Sequence, residues 1–332
     1  MNTCIRAFSV SAALAFALGL SSPSGAAEFE LRLGHDQAVA SNYQGPLEEF
    51  AKRVNEQTNG RVEIQIFPGA QLGGETAMLE GLEVGNIDMS VSAAANASTY
   101  VPSLGVFSVG YLFDDKDHFK KVLADKRFEQ LIDEKIGAAT PGFRRVATIT
   151  AGLRNVYNSR GPVETMADLG GLKMRVMASP VESEVWGDLG ALPLAMPMGE
   201  VYTGMQTGLL QAGENAASNY VSLKHYEVAP YYSLTGHQWL ICFVLVSDVT
   251  WNRLPEDIQK KIMGVGNDIS GFSVDFTAKN DATALKSVVD DGKAKVNEVE
   301  TAPFKKELLP LQDEVAEKMD STEILARIRE LQ

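Results

Sequence analysis

The chain has 332 residues, 45% of them apolar and 22% charged, a composition that excludes disorder and suffices for one large domain or two ordinary ones. Lys and Arg total 30 against 43 Asp and Glu, a net charge of −13. That sign, with no basic patch, argues against a nucleic-acid partner, and an anionic ligand would have to be held by local cations.

Met1–Arg6 carries one positive charge, Ala12–Leu20 is apolar, and Ser21–Ala27 is rich in small residues. This order reads as a secretory signal peptide with cleavage expected after Ala27, and its apolar run is too short to span a bilayer. The most apolar later stretch, Trp239–Val246, is also too short for a span. Processing removes Cys4 and leaves Cys242 alone, so no intrachain disulfide can form and Cys242 reads as a core thiol.

Phe29–His35 alternates as a strand, with Leu31 and Leu33 on one face. Asn42 is placed to cap a helix whose Tyr43, Leu47, Phe50, Ala51 and Val54 fall at helical spacing, with Asn59-Gly60 ending it. Arg61–Phe67 alternates again and stops at Pro68-Gly69; Glu75–Val84 is helical, Gly85-Asn86 turns, and Ile87–Val91 is a strand. The β-α-β-α-β order predicts an α/β layer with parallel strands. Further on, Arg145–Thr150 and Leu153–Asn158 read as two strands, Lys173–Met177 as a short one after the Gly170-Gly171 turn, and Trp239–Val246 as the most apolar. Helices are expected over Ser179–Leu189 and Gly199–Thr207, from Pro255, over Phe272–Asp290, and over Pro303–Met319 with an interruption at Pro310. Asp320 with Glu323 resembles a capping box for the last helix. No linker, repeat or low-complexity tract separates two domains, which suggests segments that cross between domains more than once.

Most catalytic and cofactor patterns are absent from the sequence. His35, His118, His225 and His237 form no metal-ligand spacing, and there is no P-loop and no Gly-x-Ser-x-Gly elbow. Gly264-Val265-Gly266 follows a helix and has Ile269 where a dinucleotide fingerprint needs glycine. No metal or organic cofactor is therefore expected. Asn96-Ala97-Ser98 is a chance-level sequon, and Asp114–Asp117 reads as a solvated turn.

One ordered set of motifs carries more. It runs Gly152-Leu153-Arg154-Asn155, Ala167-Asp168-Leu169-Gly170-Gly171-Leu172-Lys173-Met174-Arg175-Val176, Leu189-Gly190-Ala191, Met198-Gly199-Glu200-Val201-Tyr202, Gln206-Thr207-Gly208, Glu214-Asn215 and Thr235-Gly236-His237, with Phe67–Gly73 upstream and Trp251–Pro255 downstream. In this the chain resembles the TRAP-type (tripartite ATP-independent periplasmic) solute-binding proteins of the DctP family over nearly all of its mature length. The resemblance implies an α/β, periplasmic-binding-protein-like fold with two α/β domains around a hinged ligand cleft. Domain I is expected over residues 28–151 plus 241–279 and domain II over 152–240 plus 280–332. It also implies a monomeric periplasmic receptor, not an enzyme, that captures a small organic carboxylate and passes it to integral-membrane transporter subunits driven by an ion gradient.

The resemblance assigns the ligand carboxylate to Arg175, and a guanidinium's planar fork suits that task. Arg154 and Asn215 match further ligand positions. Asp36, Asn219, Trp239, Met198, Gln37 and Asn96 complete the expected pocket, while His237 is expected to be structural. The chain departs from the family pattern at Leu210–Gly213 and at Met177, where proline often follows the Arg-Val pair. A polar pocket with Asp36, Asn215 and Asn219 would suit a hydroxylated or sugar acid, and a Trp239 wall would suit a cyclic or aromatic one. Two other readings remain open: a periplasmic lyase or isomerase using Asp36, Glu214 or His237, and a binding protein that feeds a signalling receptor.

Overall fold

Two long antiparallel strands organise the computed structural model, which describes residues 27–332. The expected leader falls outside the described residues except for Ala27. The nine strands among the described residues are β1 (Phe29–Gly34), β2 (Val62–Phe67), β3 (Met89–Ala93), β4 (Phe143–Asn158), β5 (Lys173–Val176), β6 (Leu192–Ala195), β7 (Ala212–Asn215), β8 (Tyr231–Ser247) and β9 (Lys295–Glu298). They lie in the order β2-β1-β3-β8-β4-β7-β5-β6, with β9 on β8. β1 pairs in parallel with β2 and β3, and β5 with β6 and β7, as the alternation of strands and helices predicts. β4 and β8 pair antiparallel from Phe143↔Ser247 to Asn158↔Tyr231 and so run through both α/β halves of the sheet.

The two strands expected at 145–150 and 153–158 are one strand. The alternation breaks between them because the ladder shifts register at Thr150/Gly152 and Gly152 takes φ +100°, a conformation that favours glycine. β8 likewise starts eight residues before Trp239, in a more polar stretch that the hydropathy does not mark. Its apolar end is buried on both faces. Cys242, Val244 and Val246 pack with Leu33, Phe50 and Ile262, while Ile241, Phe243 and Leu245 pack with Met78, Phe119 and Phe128. Cys242 is a buried core thiol, its Sγ 3.2 Å from the Tyr43 hydroxyl.

The helices expected from Pro255 and over 272–290 form a single helix, Glu256–Asp290. Gly266 lies inside it where the helix crosses β4, and a Cβ there would sit 1.7 Å from the Val146 carbonyl oxygen. Glycine costs about 1 kcal/mol in a helix interior, and here it permits the close helix–strand approach. Pro310 does not interrupt helix Ala302–Lys318, because it lies on the exposed side and removes one hydrogen bond only. Two expected caps are absent. Helix Gln44–Gln57 starts without a side-chain cap because Asn42 bonds elsewhere. Helix Thr322–Glu330 also lacks one, and Asp320 accepts from Lys135 Nζ at 2.7 Å instead. Among the described residues, no helix is long and apolar enough to cross a membrane.

Candidate functional site

The loops that follow β1 and β3 face β5, β7 and the middle of β4 and β8 across a cleft. An inner chamber of about 10 Å³, room for roughly one water, adjoins an outer cavity of about 450 Å³. Asp36, Glu75, Asn96, Arg175 and Met198 line both.

Arg175 is the third residue of β5, flanked by buried Met174 and Val176, and is 3% exposed. Its Nε donates to the Met196 carbonyl at 2.8 Å, which fixes the plane of the guanidinium. Its Nη1 is buried without a hydrogen-bond partner, and no described carboxylate forms an ion pair with it. A buried, incompletely paired cation is unfavourable by itself and strongly favours an anion in reach.

Arg154, on β4, differs. It is 1% exposed, and its Nε and Nη2 both donate to the Glu214 carboxylate; Nη2 also donates to the Glu214 carbonyl at 2.7 Å. Burial alone would raise the Glu214 pKa, but Arg154, helped by His237, outweighs it and holds the carboxyl down at about 2. His237 Nε2 lies 3.5 Å from Glu214, and burial lowers the His237 pKa. The Arg154 charge is thus matched within the protein. Asn215 Oδ1 accepts from Ala216 N–H at 2.9 Å, Asn219 Nδ2 at 3.2 Å and Arg154 Nη1 at 3.4 Å, leaving Asn215 Nδ2 buried as an unpartnered donor.

The other side of the chamber carries acceptors. Glu75 opens helix Glu75–Glu83, and its carboxylate accepts from Ser92 Oγ at 2.7 Å, from Asn96 Nδ2 at 2.6 Å and from the Ala93 N–H. Burial, with Asp36 adding, pushes its pKa up to about 8 against those bonds. Asp36 accepts from Gln37 Nε2 at 2.8 Å, and Gln37 Oε1 is buried without a partner. One side therefore offers an unneutralised cation and an amide donor, and the other offers two carboxyls and an amide acceptor. No group of three or more His, Cys, Asp or Glu among the described residues could hold a metal.

Residues 33–319 match the model of the family described as bacterial extracellular solute-binding protein, family 7 (DctP). The chain belongs to this family. It is 32% identical over 285 residues to a solute-binding protein of Sulfitobacter sp. (strain NAS-14.1), covering 85% of this chain and 86% of that one. It is 29% identical over 283 residues to the 2,3-diketo-L-gulonate-binding periplasmic protein of Escherichia coli (strain K12), covering 85% of each. Its fold matches the crystal structure of a sugar acid binding protein from Advenella mimigardefordensis in complex with galactonate. The TM-score is 0.84 at 25% identity, with 91% of this chain and 98% of that chain covered.

The fold of this DctP-family protein gathers eight of the nine expected site residues on the chamber: Asp36, Gln37, Asn96, Arg154, Arg175, Met198, Asn215 and Asn219. Two of the eight have no free polar end. Asn96 donates to Glu75 and accepts from Ala178 N–H at 2.8 Å. Asn219 donates to Asn215 and accepts from Asn42 N–H at 3.2 Å. Trp239 is a correction. It stacks on Phe119 with ring centroids 5.1 Å apart, packs with the apolar core, and does not line the chamber. Successive strand residues point to opposite faces, so Leu240 turns into the chamber and Trp239 turns away from it.

The sequence reading missed Glu75, Tyr43, Ala93, Met177 and Leu240 as lining residues. Glu75 looks like an ordinary first-turn acid favoured by the helix dipole. Met177 carried a usable signal, since it stands where the family pattern often has proline.

Besides Glu75, burial raises Glu182 to about 7 and Asp281 to about 6. Above about pH 6.5, the ordinary histidine value, these carboxyls make the folded protein bind more protons than the unfolded chain, so stability rises as pH falls from 8 toward 7. Below that the trend is opposed, first by His35, His225 and His237, which burial keeps neutral in the fold while the unfolded chain takes up their protons, and then by the depressed Glu214. The melting temperature by circular dichroism should be higher at pH 7 than at pH 8; an equal or lower value would contradict this account of the buried carboxyls.

Proposed function

We propose that this DctP-family protein is an exported periplasmic receptor for a hydroxylated monocarboxylic acid of the sugar-acid class, which it delivers to a TRAP-type membrane transporter. The observation that carries this reading is the unneutralised Arg175 guanidinium facing the Asp36 and Glu75 carboxyls across one chamber. A ligand carboxylate would take the bidentate fork of Arg175 and accept from Asn215 Nδ2, with its hydroxyls donating to Asp36, Gln37 Oε1 and Glu75. A second carboxylate at that far end would meet the Asp36 carboxylate, so the same arrangement selects against dicarboxylates. The sugar acids bound by the Escherichia coli and Advenella relatives support this class.

The reading includes cleavage after Ala27, domains at 28–151 plus 241–279 and 152–240 plus 280–332, and closure of the two about the β4–β8 crossing. It also includes action as a monomer. Conversion of the ligand is not part of it: Glu214 and His237 face each other behind Arg154 rather than serving as a free acid and base.

A thermal-shift screen of aldonates, hexuronates and dicarboxylates tests the proposal. A ligand at 100 times its Kd adds about 2.7 kcal/mol, which should raise the melting temperature by several degrees for an aldonate or hexuronate and leave it unmoved for succinate. NMR of the recovered ligand should show it unchanged. A shift with dicarboxylates alone, or turnover of the acid, would overturn the proposal.

A further inference from the structure

The amides of the chamber continue into a second polar cluster at the place where β4 passes between the two halves. Asn215 Oδ1 accepts from Asn219 Nδ2 at 3.2 Å, and Asn219 Oδ1 accepts from the Asn42 main-chain N–H at 3.2 Å. Asn42 Nδ2 donates both to the Ala151 carbonyl, at 2.7 Å, and to Asp281 Oδ1, at 2.9 Å. The same Asp281 oxygen accepts from the Ser218 N–H at 2.9 Å. Asn42, Ser218 and Asn219 are all buried.

Four segments meet here: the entry to helix Gln44–Gln57, the register shift of β4, helix Ala217–Ser222, and the long helix Glu256–Asp290. Gly152 makes room for the meeting. A Cβ there would lie 2.4 Å from Asp281 Oδ2 and 2.9 Å from Asn42 Nδ2, and the φ of +100° disfavours any side chain as well. One carboxylate oxygen thus satisfies donors from two different segments beside a strand common to both halves of the sheet. Buried donors of this kind are costly to leave unmet.

We propose that Asp281, which makes no contact with the ligand chamber itself, is a positioning residue for ligand binding. Through Asn42 and Asn219 it supports the orientation of Asn215, whose Oδ1 accepts directly from Asn219 Nδ2, Ala216 N–H and Arg154 Nη1, and through Ser218 it ties helix Ala217–Ser222 to the β4 crossing. The proposal rests on the reading of the chamber as the ligand site. Its geometric requirement is an acceptor oxygen at this point, which an asparagine also supplies. Asp281→Ala removes the oxygen and strands the Ser218 N–H, whereas Asp281→Asn keeps it.

The test uses the full mature protein with galactonate as probe, by calorimetry and stopped-flow dissociation at a temperature far below melting. Loss of one buried hydrogen-bond acceptor corresponds to about a tenfold loss of affinity, expected for Asp281→Ala as faster dissociation, while Asp281→Asn stays within about threefold of wild type. Hydrogen exchange of the ligand-free proteins provides the second measurement. The Ser218 and Asn42 amides should exchange faster in Asp281→Ala and at the wild-type rate in Asp281→Asn. Unchanged affinity in a folded Asp281→Ala protein, or equal impairment in both variants, would overturn the proposal. If wild type itself binds no sugar acid, the receptor reading fails, and unchanged exchange in Asp281→Ala would separately refute the clamp.

Discussion

Arg175→Ala should abolish most ligand affinity while leaving the fold intact. Arg175 is a buried guanidinium with an unpartnered Nη1, so its removal deprives a ligand carboxylate of its counter-charge without stranding a carboxylate of the protein. Truncating one member of a buried charged pair costs about 2–5 kcal/mol, which is roughly 30- to several-thousand-fold in affinity. Arg175→Lys should fail substantially too. An ammonium cannot both replace the Nε bond to Met196 and present a bidentate fork. Calorimetry with the acid found by screening, and circular dichroism as the folding control, measures this. A folded Arg175→Ala protein that binds as tightly as wild type would refute the carboxylate clamp.

Glu214→Ala should have the opposite profile, a large loss of stability. It leaves Arg154, 1% exposed, without its counter-charge. Breaking a buried pair from one side costs about 3–5 kcal/mol, which at roughly 2–4 °C per kcal/mol lowers the melting temperature by on the order of 10 °C. Arg154→Ala should be destabilising for the same reason, since it strands a buried carboxylate. From the motif alone Arg154 looks like a second ligand cation whose loss the fold would tolerate; its bonds to Glu214 reverse that expectation. Scanning calorimetry of both variants checks this, and melting within about 2 °C of wild type would contradict a strong pair.

Much of this protein is legible in its sequence. The parallel order of β1, β2 and β3 follows from alternating hydropathy between helical repeats, because burial patterns are local. Arg175 was legible from the Gly170-Gly171-Leu172-Lys173-Met174-Arg175 motif. The pairing of charges was not, because it depends on which distant segments meet. Glu214 lies 60 residues from Arg154 and Asp281 lies 239 from Asn42, and no local pattern specifies either encounter. The same holds for Trp239 and Leu240. Hydropathy makes both apolar, but the register of β8 across β4 decides which one faces the chamber. Local patterning and motif thus determined the family and singled out Arg175, while the tertiary structure decided that Arg154 is neutralised within the protein and that Arg175 keeps a buried Nη1 without a partner.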